Sequence, residues 1–204
     1  WWFFFLVSRR PPSSTPFPYT TLFRSVTRAL LSMAIAIYDE DPVPYQYCAY
    51  RILEELVPMR RFEYQSPRHN QGVSYGPYRY GWDLHSAWLF RRLTGEKVFD
   101  DNLGGVYDQW LHMRVPDHRM LRDGDGFSDG NPANLGLTTL LNYAYTGNPV
   151  VKWDFLRQGG MKGDPLMILL LNDPDLEPAA RLNDLPYRSE EHQSELQSPN
   201  TISY

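Results

Sequence analysis

The chain has 204 residues, 42% of them hydrophobic and 15% aromatic, and a formal charge of -4. That balance belongs to a globular, soluble protein. A single cysteine, Cys48, excludes an intramolecular disulfide framework, and mild acidity without a basic run argues against a nucleic-acid partner. An acidic substrate stays open, because a few converging arginines outweigh net charge locally.

The first segment, Trp1 to Val7, is apolar but far short of the ~20 residues that span a bilayer. Arg9-Arg10 follow this run instead of preceding it, which excludes a signal peptide. No membrane contact is expected. Leu22-Phe23-Arg24-Ser25 and Arg188-Ser189-Glu190-Glu191 can be encoded by reverse-complementary DNA, CTC-TTC-CGA-TCT and AGA-TCG-GAA-GAG. The longer strings FPYTTLFRS and RSEEHQSELQS look like translated sequencing adapters. Residues 1–25 and 188–204 are therefore expected to be artefacts that pack poorly, and are set aside from fold reasoning. Residues 26–187 are expected to be an internal piece of a longer protein.

Within that piece the apolar residues recur at helical spacing. Val26 to Tyr38 predicts a helix with Leu30, Met33, Ala34 and Ile37 on one face, ended by Asp39-Glu40-Asp41-Pro42. Three acids at a helix C-terminus run against the helix dipole. Tyr45 to Leu56 predicts a second helix, with Cys48 as a buried core thiol beside Ile52, Leu53 and Leu56, stopped by Pro58. A polar loop covers Glu63 to Gly72. Val73 to Leu93 predicts a helix whose apolar side is Trp82, Leu84, Trp88, Leu89 and Leu93, with Gly95 as terminator. Asp101 to Met113 predicts another helix. Arg114 to Gly130 is a long polar loop, and such loops more often carry function than merely connect. Ala133 to Tyr145, Val150 to Leu156 and Pro165 to Leu171 complete the helices. Strand signatures are scarce, so the fold class is all-α, either a solenoid or a closed (α/α) toroid. The lack of a fixed sequence repeat disfavours the common solenoids.

The densest cluster of chemical groups is SPRHNQGVSYGPYRYGWDLH, Ser66 to His85. Gly72 and Gly76 permit tight backbone geometry there. On a helix beginning near Val73, Tyr75 and Arg79 lie four apart on one face. A cation beside a phenol favours the phenolate, and a phenol so tuned can remove and return a proton. Arg79 can alternatively clamp a substrate carboxylate.

The stretch HNQGVSYGPYRYGWDLHSAWLF resembles the heparinase II/III-like polysaccharide lyases. The resemblance runs from LSMAIAIYDEDP near Leu31, through PDHRMLRDGDGF, to LNDPDLEP near Pro178. Its most specific part is Gln71-Gly72-Val73-Ser74-Tyr75. In that family a QG-x-SY string ends in the catalytic tyrosine, which maps onto Tyr75, and an arginine four positions later maps onto Arg79. The resemblance implies that residues 26–187 are the C-terminal part of an (α/α) toroid catalytic domain, so the fold expected is an incomplete toroid of helical hairpins. It implies β-elimination on an acidic, uronic-acid-containing polysaccharide, with His69, Asn70, Gln71, Arg79 and Asp125 contacting substrate. It also implies a bacterial, periplasmic or secreted enzyme. No cofactor or metal is implied within this chain, although a structural metal can belong to the family's β domain. The family's toroid histidine falls near Thr20 by ungapped counting, and a further histidine and tyrosine belong to that β domain. The piece alone is therefore expected to be inactive. Asn70 stands where the family's namesake has a histidine.

Asp123, Asp125 and Asp129 in RDGDGFSDG imitate a calcium loop but lack its closing glutamate. The resemblance places this loop at the rim of the substrate cleft. His112 and His118 flank Pro116 without a third ligand at regular spacing, so zinc is not expected. His85 reads as a satisfied or surface histidine. Two other classes remain in view. An (α/α) toroid glycoside hydrolase needs two carboxylates ~6.5–9.5 Å apart if inverting, for which Asp83 and Asp125 are the available pair. A non-catalytic glycan-binding module needs only the aromatic cleft.

Overall fold

The computed structural model describes residues 28–100, 102–115, 119–124, 131–132 and 135–181. The expected artefactual ends, and Asp125, His118 and Asp129, lie outside the described residues. Within them the protein is all-α apart from one two-stranded ladder.

Helix α1 occupies residues 28–36. Its buried residues are Leu31 and Ala34, whereas Met33 is 53% exposed, so the buried stripe is displaced from the one expected. The last of the acids after it serves the next helix: the Asp41 carboxylate accepts the Val43 N–H at 3.1 Å. An acid at a helix start is favourable both as a cap and against the dipole. That accounts for Asp41 alone of the three acids.

Helix α2 (Val43–Tyr50) runs without a break through a π-helical stretch, Arg51–Leu56, into α3 (Val57–Glu63). Pro58 therefore does not stop the helix, contrary to the sequence reading. It has no N–H for the carbonyl four residues back, and the helix answers by widening. The Val57 N–H bonds to the Ile52 carbonyl, five residues back. The wide turns shift the helical phase. Ile52, Leu56, Val57 and Arg60 become buried, while Leu53 is left 40% exposed. Cys48 is buried, as expected.

Helix α4 (Tyr75–Thr94) is the central element and ends at Gly95, whose left-handed φ of 80° and N–H to the Arg91 carbonyl close it as expected. Of the predicted apolar stripe, Leu84 is buried and Trp88 and Leu89 pack partly buried against the core, but the rest of the buried face is made of other residues. Gly76, Pro77, Tyr80, Gly81, Asp83, Leu84, Ser86, Ala87 and Phe90 are buried, and Leu93 is 51% exposed. Small residues face inward because a neighbouring helix lies very close. A Cβ at Gly81 would sit 2.5 Å from the Thr138 hydroxyl oxygen.

That neighbour is α6 (Leu137–Thr146), which lies alongside α4 in the same direction. Thr138 near its start donates to the Pro77 carbonyl at 2.9 Å, and the Tyr145 carbonyl near its end accepts from Arg91 at 2.5 Å. Helix α5 (Asn102–His112) runs opposite to both. Its first turn meets Tyr80, whose hydroxyl donates to the Leu103 carbonyl at 2.6 Å, and its last turns bring Trp110 against Gly76. Helix α7 (Pro149–Arg157) begins at Asn148, which caps the Val150 N–H at 2.9 Å. After a 3-10 turn (Gly160–Lys162), Asp164 caps α8 (Pro165–Leu171). Helix α6 starts later than predicted, because Gly136 precedes it in a backbone conformation unfit for a helix, with φ 48° and ψ -118°.

The described residues of the polar loop after α5 include a short strand. Strand β1 (Arg119–Met120) pairs antiparallel with β2 (Asn131–Pro132), and Met120 also bridges to Arg114. The ladder folds the loop back toward the start of α4. None of the described helices is long and apolar enough to cross a membrane.

Candidate functional site

The turn that launches α4 carries the site. The Gly72 N–H returns to the His69 carbonyl at 2.9 Å, and the Val73 N–H reaches across to the Asp123 carbonyl at 3.1 Å. Gly72 has φ +66°, and a Cβ there would lie 1.8 Å from the Asp123 carbonyl oxygen. Glycine is therefore required at this position both for the left-handed backbone and for the close approach.

His69 is 2% exposed, packed against Gly76 and tilted over Trp110 at 6.1 Å between ring centroids. Its Nδ1 accepts the Gln71 N–H at 3.2 Å. The ring proton of the neutral imidazole then belongs on Nε2, which has no partner among the described residues. Burial, followed by the charges of Arg60 and Arg79, pushes the imidazole pKa down to about 4. His69 is thus a neutral donor near pH 7. Gln71 is partly buried and its Oε1 is likewise without a partner among the described residues, while Asn70 is exposed. Buried polar atoms are normally paired, and these two share their unpaired state with His85 Nδ1, Gln109 Oε1 and Arg114 Nε elsewhere among the described residues.

Tyr75 is the first residue of α4 and is 46% exposed. The Arg79 guanidinium lies over its ring, 5.8 Å from the centroid. The four-residue spacing therefore brings the phenol and the cation together as predicted. Tyr78, three residues on, is 67% exposed. The structure gathers His69, Gln71, Tyr75 and Arg79 around one turn.

Asp83 does something different. It is 2% exposed, with Arg60 Nε 3.0 Å away, and accepts the Tyr64 hydroxyl at 2.6 Å. Arg60 is itself wholly buried and also paired with Glu63. Burial raises the Asp83 pKa while Arg60 and Tyr64 lower it. A carboxylate sealed this way anchors α3 to α4 and cannot reach a glycan, which removes one member of the carboxylate pair considered above. His85 is partly buried against Trp88, and its Nδ1 has no partner among the described residues.

Sequence reasoning missed three ionic elements. Arg68 grips the Asp123 carboxylate with two contacts, at 3.0 and 2.6 Å. Arg60 supplies the buried charge behind His69. Asp154, fully buried, accepts from the Tyr107 hydroxyl at 2.7 Å, from Arg114 Nη2 at 2.6 Å, from Arg157 at 3.0 Å and from Gln158. Charged residues read as solvated on sequence grounds, and only tertiary neighbours reveal the pairing. The isolated Arg-Asp content of RDGDG gave no sign of which cation would meet Asp123.

No protein-family model matches this chain, and no curated protein matches it either.

Proposed function

We propose that residues 26–187 form the C-terminal part of the (α/α) toroid of a bacterial, periplasmic or secreted polysaccharide lyase. The substrate is a uronic-acid-containing glycan of the heparin or heparan-sulfate kind. The reading rests on one observation above the rest: a half-exposed tyrosine opening the central helix, with a guanidinium over its ring. The parallel course of α4 and α6, with α5 returning beside them, supports a toroid of helical hairpins.

In the proposed reaction the Tyr75 oxygen takes the proton from C5 of the uronide. The C5–H electron pair passes into the ring as the C4–O bond breaks, forming a C4–C5 double bond. The departing oxygen then receives a proton, either from Tyr75 or from a histidine outside this segment. The obstacle is the negative charge that builds on C5 and its carboxylate, which needs donors already in place. The Asn70 and Gln71 amides and the Arg79 guanidinium are the groups assigned to that task; His69, expected to contact substrate, is as buried as Asp83 and supports the turn from behind. Asp125 is assigned to the rim on the resemblance alone. No cofactor takes part within this segment; a structural metal would belong to a following β domain.

The test is the absorbance of the unsaturated uronide when the complete enzyme carrying this segment meets heparan-type glycan. A steady rise supports elimination. Cleavage without that absorbance points to a hydrolase, and binding without cleavage to a glycan-binding module; either result ends the lyase reading.

A further inference from the structure

We propose that Asp123 is a positioning residue for Tyr75, a latch between the loop after α5 and the turn that starts α4; the inference rests on the catalytic reading of Tyr75. Asp123 meets the turn twice. Its carbonyl accepts the Val73 N–H at 3.1 Å, two residues before Tyr75. Its carboxylate takes Arg68 Nε at 3.0 Å and Nη2 at 2.6 Å. One residue therefore holds the turn at both ends. Between these holds Gly72 and Gly124 lie face to face, with φ +66° and +62°, and a Cβ on Gly124 would meet the Gly72 nitrogen at 2.8 Å.

The inner side of the turn is fixed by His69 and Val73, each 2% exposed. Its outer side is fixed by Asp123. Tyr75 follows two residues after Val73 and is half exposed, so the turn sets where its backbone enters α4, with Arg79 over its ring. The ion pair is the adjustable half of the latch. The Arg68 side chain is 63% exposed and that of Asp123 19%, and exposed pairs contribute little to global stability. Placement of a reacting group is far more sensitive, since a shift of about 1 Å can cost ~10²-fold in rate. Asp123→Asn keeps the backbone contact and removes the charge. It should leave folding nearly intact and disturb Tyr75.

The experiment places 3-fluorotyrosine in the full 204-residue chain and follows 19F resonances, assigned with Tyr75→Phe and Tyr78→Phe. Asp123→Asn and Arg68→Ala should each shift or broaden the Tyr75 resonance. The Tyr78 resonance should stay in place, and melting should fall by about 2 °C or less. The swapped pair Arg68→Asp/Asp123→Arg should restore part of the shift. In the complete enzyme, Asp123→Asn should lower kcat about tenfold with KM held within about twofold. If Asp123→Asn fails to fold, Arg68→Ala, which trims only an exposed side chain, carries the same test. An unmoved Tyr75 resonance in a folded latch variant overturns the proposal. So does normal kcat in Asp123→Asn when Tyr75→Phe is dead, an outcome that spares the functional reading. Normal turnover in Tyr75→Phe overturns the functional reading and this inference with it.

Discussion

Asp154 and the turn at 69–75 treat polar groups in opposite ways. Around Asp154 the fold brings hydroxyl, guanidinium and amide donors onto one carboxylate in the core, where no substrate can reach. At the turn, His69 Nε2 and Gln71 Oε1 are kept from solvent and left without protein partners among the described residues. The first arrangement ties α5, α6 and α7 together, since Tyr107 also shares a hydrogen bond with Thr139 at 2.6 Å. The second leaves binding capacity unused beside an accessible tyrosine. Charge density alone does not tell the two regions apart; what differs is that the turn stands beside the half-exposed Tyr75.

The comparison breaks most visibly at Asp154. Asp154→Ala strands Arg114, whose side chain is only 9% exposed, without its carboxylate. Removing one member of a buried pair costs about 3–5 kcal/mol. Urea denaturation should show that loss; a change below about 1 kcal/mol would mean the cluster is not structural. Gly72→Ala comes next. It forces a side chain into a left-handed backbone against the Asp123 carbonyl, and should cost about 2 kcal/mol or more. A melt equal to wild type would show that the two loops do not lie as described.

The pH dependence is a smaller effect with a definite sign. His69 and His85 are each pushed down from 6.5 to about 4, His69 by burial and then Arg60 and Arg79, His85 by burial and then Arg28. Each contributes stability that is present above pH 6.5 and lost as pH falls toward 4. Asp108 opposes them, because burial lifts its carboxyl from 3.8 to about 6, and its contribution is lost as pH rises through that value. With His69, His85 and Asp123, whose carboxyl Arg68 lowers, against Asp108 and Asp83, whose carboxyls burial raises, stability should decline from pH 6.5 to 4. His69→Gln should flatten part of the decline. A melting temperature that climbs over this interval would contradict the burial of His69.

Local signals were legible where a residue type has one conformational use. Gly95 after α4 marks the helix end in the sequence and in the structure. The Tyr75–Arg79 proximity was legible for the same reason, because four-residue spacing on a helix decides it. Pro58 was misread, since a widened helix satisfies the backbone as well as a stop does. The inward face of α4 was also misread in part. Hydrophobicity favoured Trp82, Trp88 and Leu93, whereas the approach of α6 demanded small residues such as Gly81 and Ala87. Arg60, Arg68 and Asp154 were illegible as anchors, because their partners are distant in sequence or reached only through the fold.

The most direct test of the proposed chemistry is turnover of Tyr75→Phe beside Tyr78→Phe and Arg79→Lys in the complete enzyme, with melts to confirm folding. Tyr75→Phe keeps the ring and removes one hydroxyl, so its rate should fall ~10²-fold or more. Tyr78→Phe should stay near wild type, and Arg79→Lys should fall further if the planar fork holds a carboxylate than if it only supplies charge. Near-normal turnover in a folded Tyr75→Phe enzyme would contradict the account.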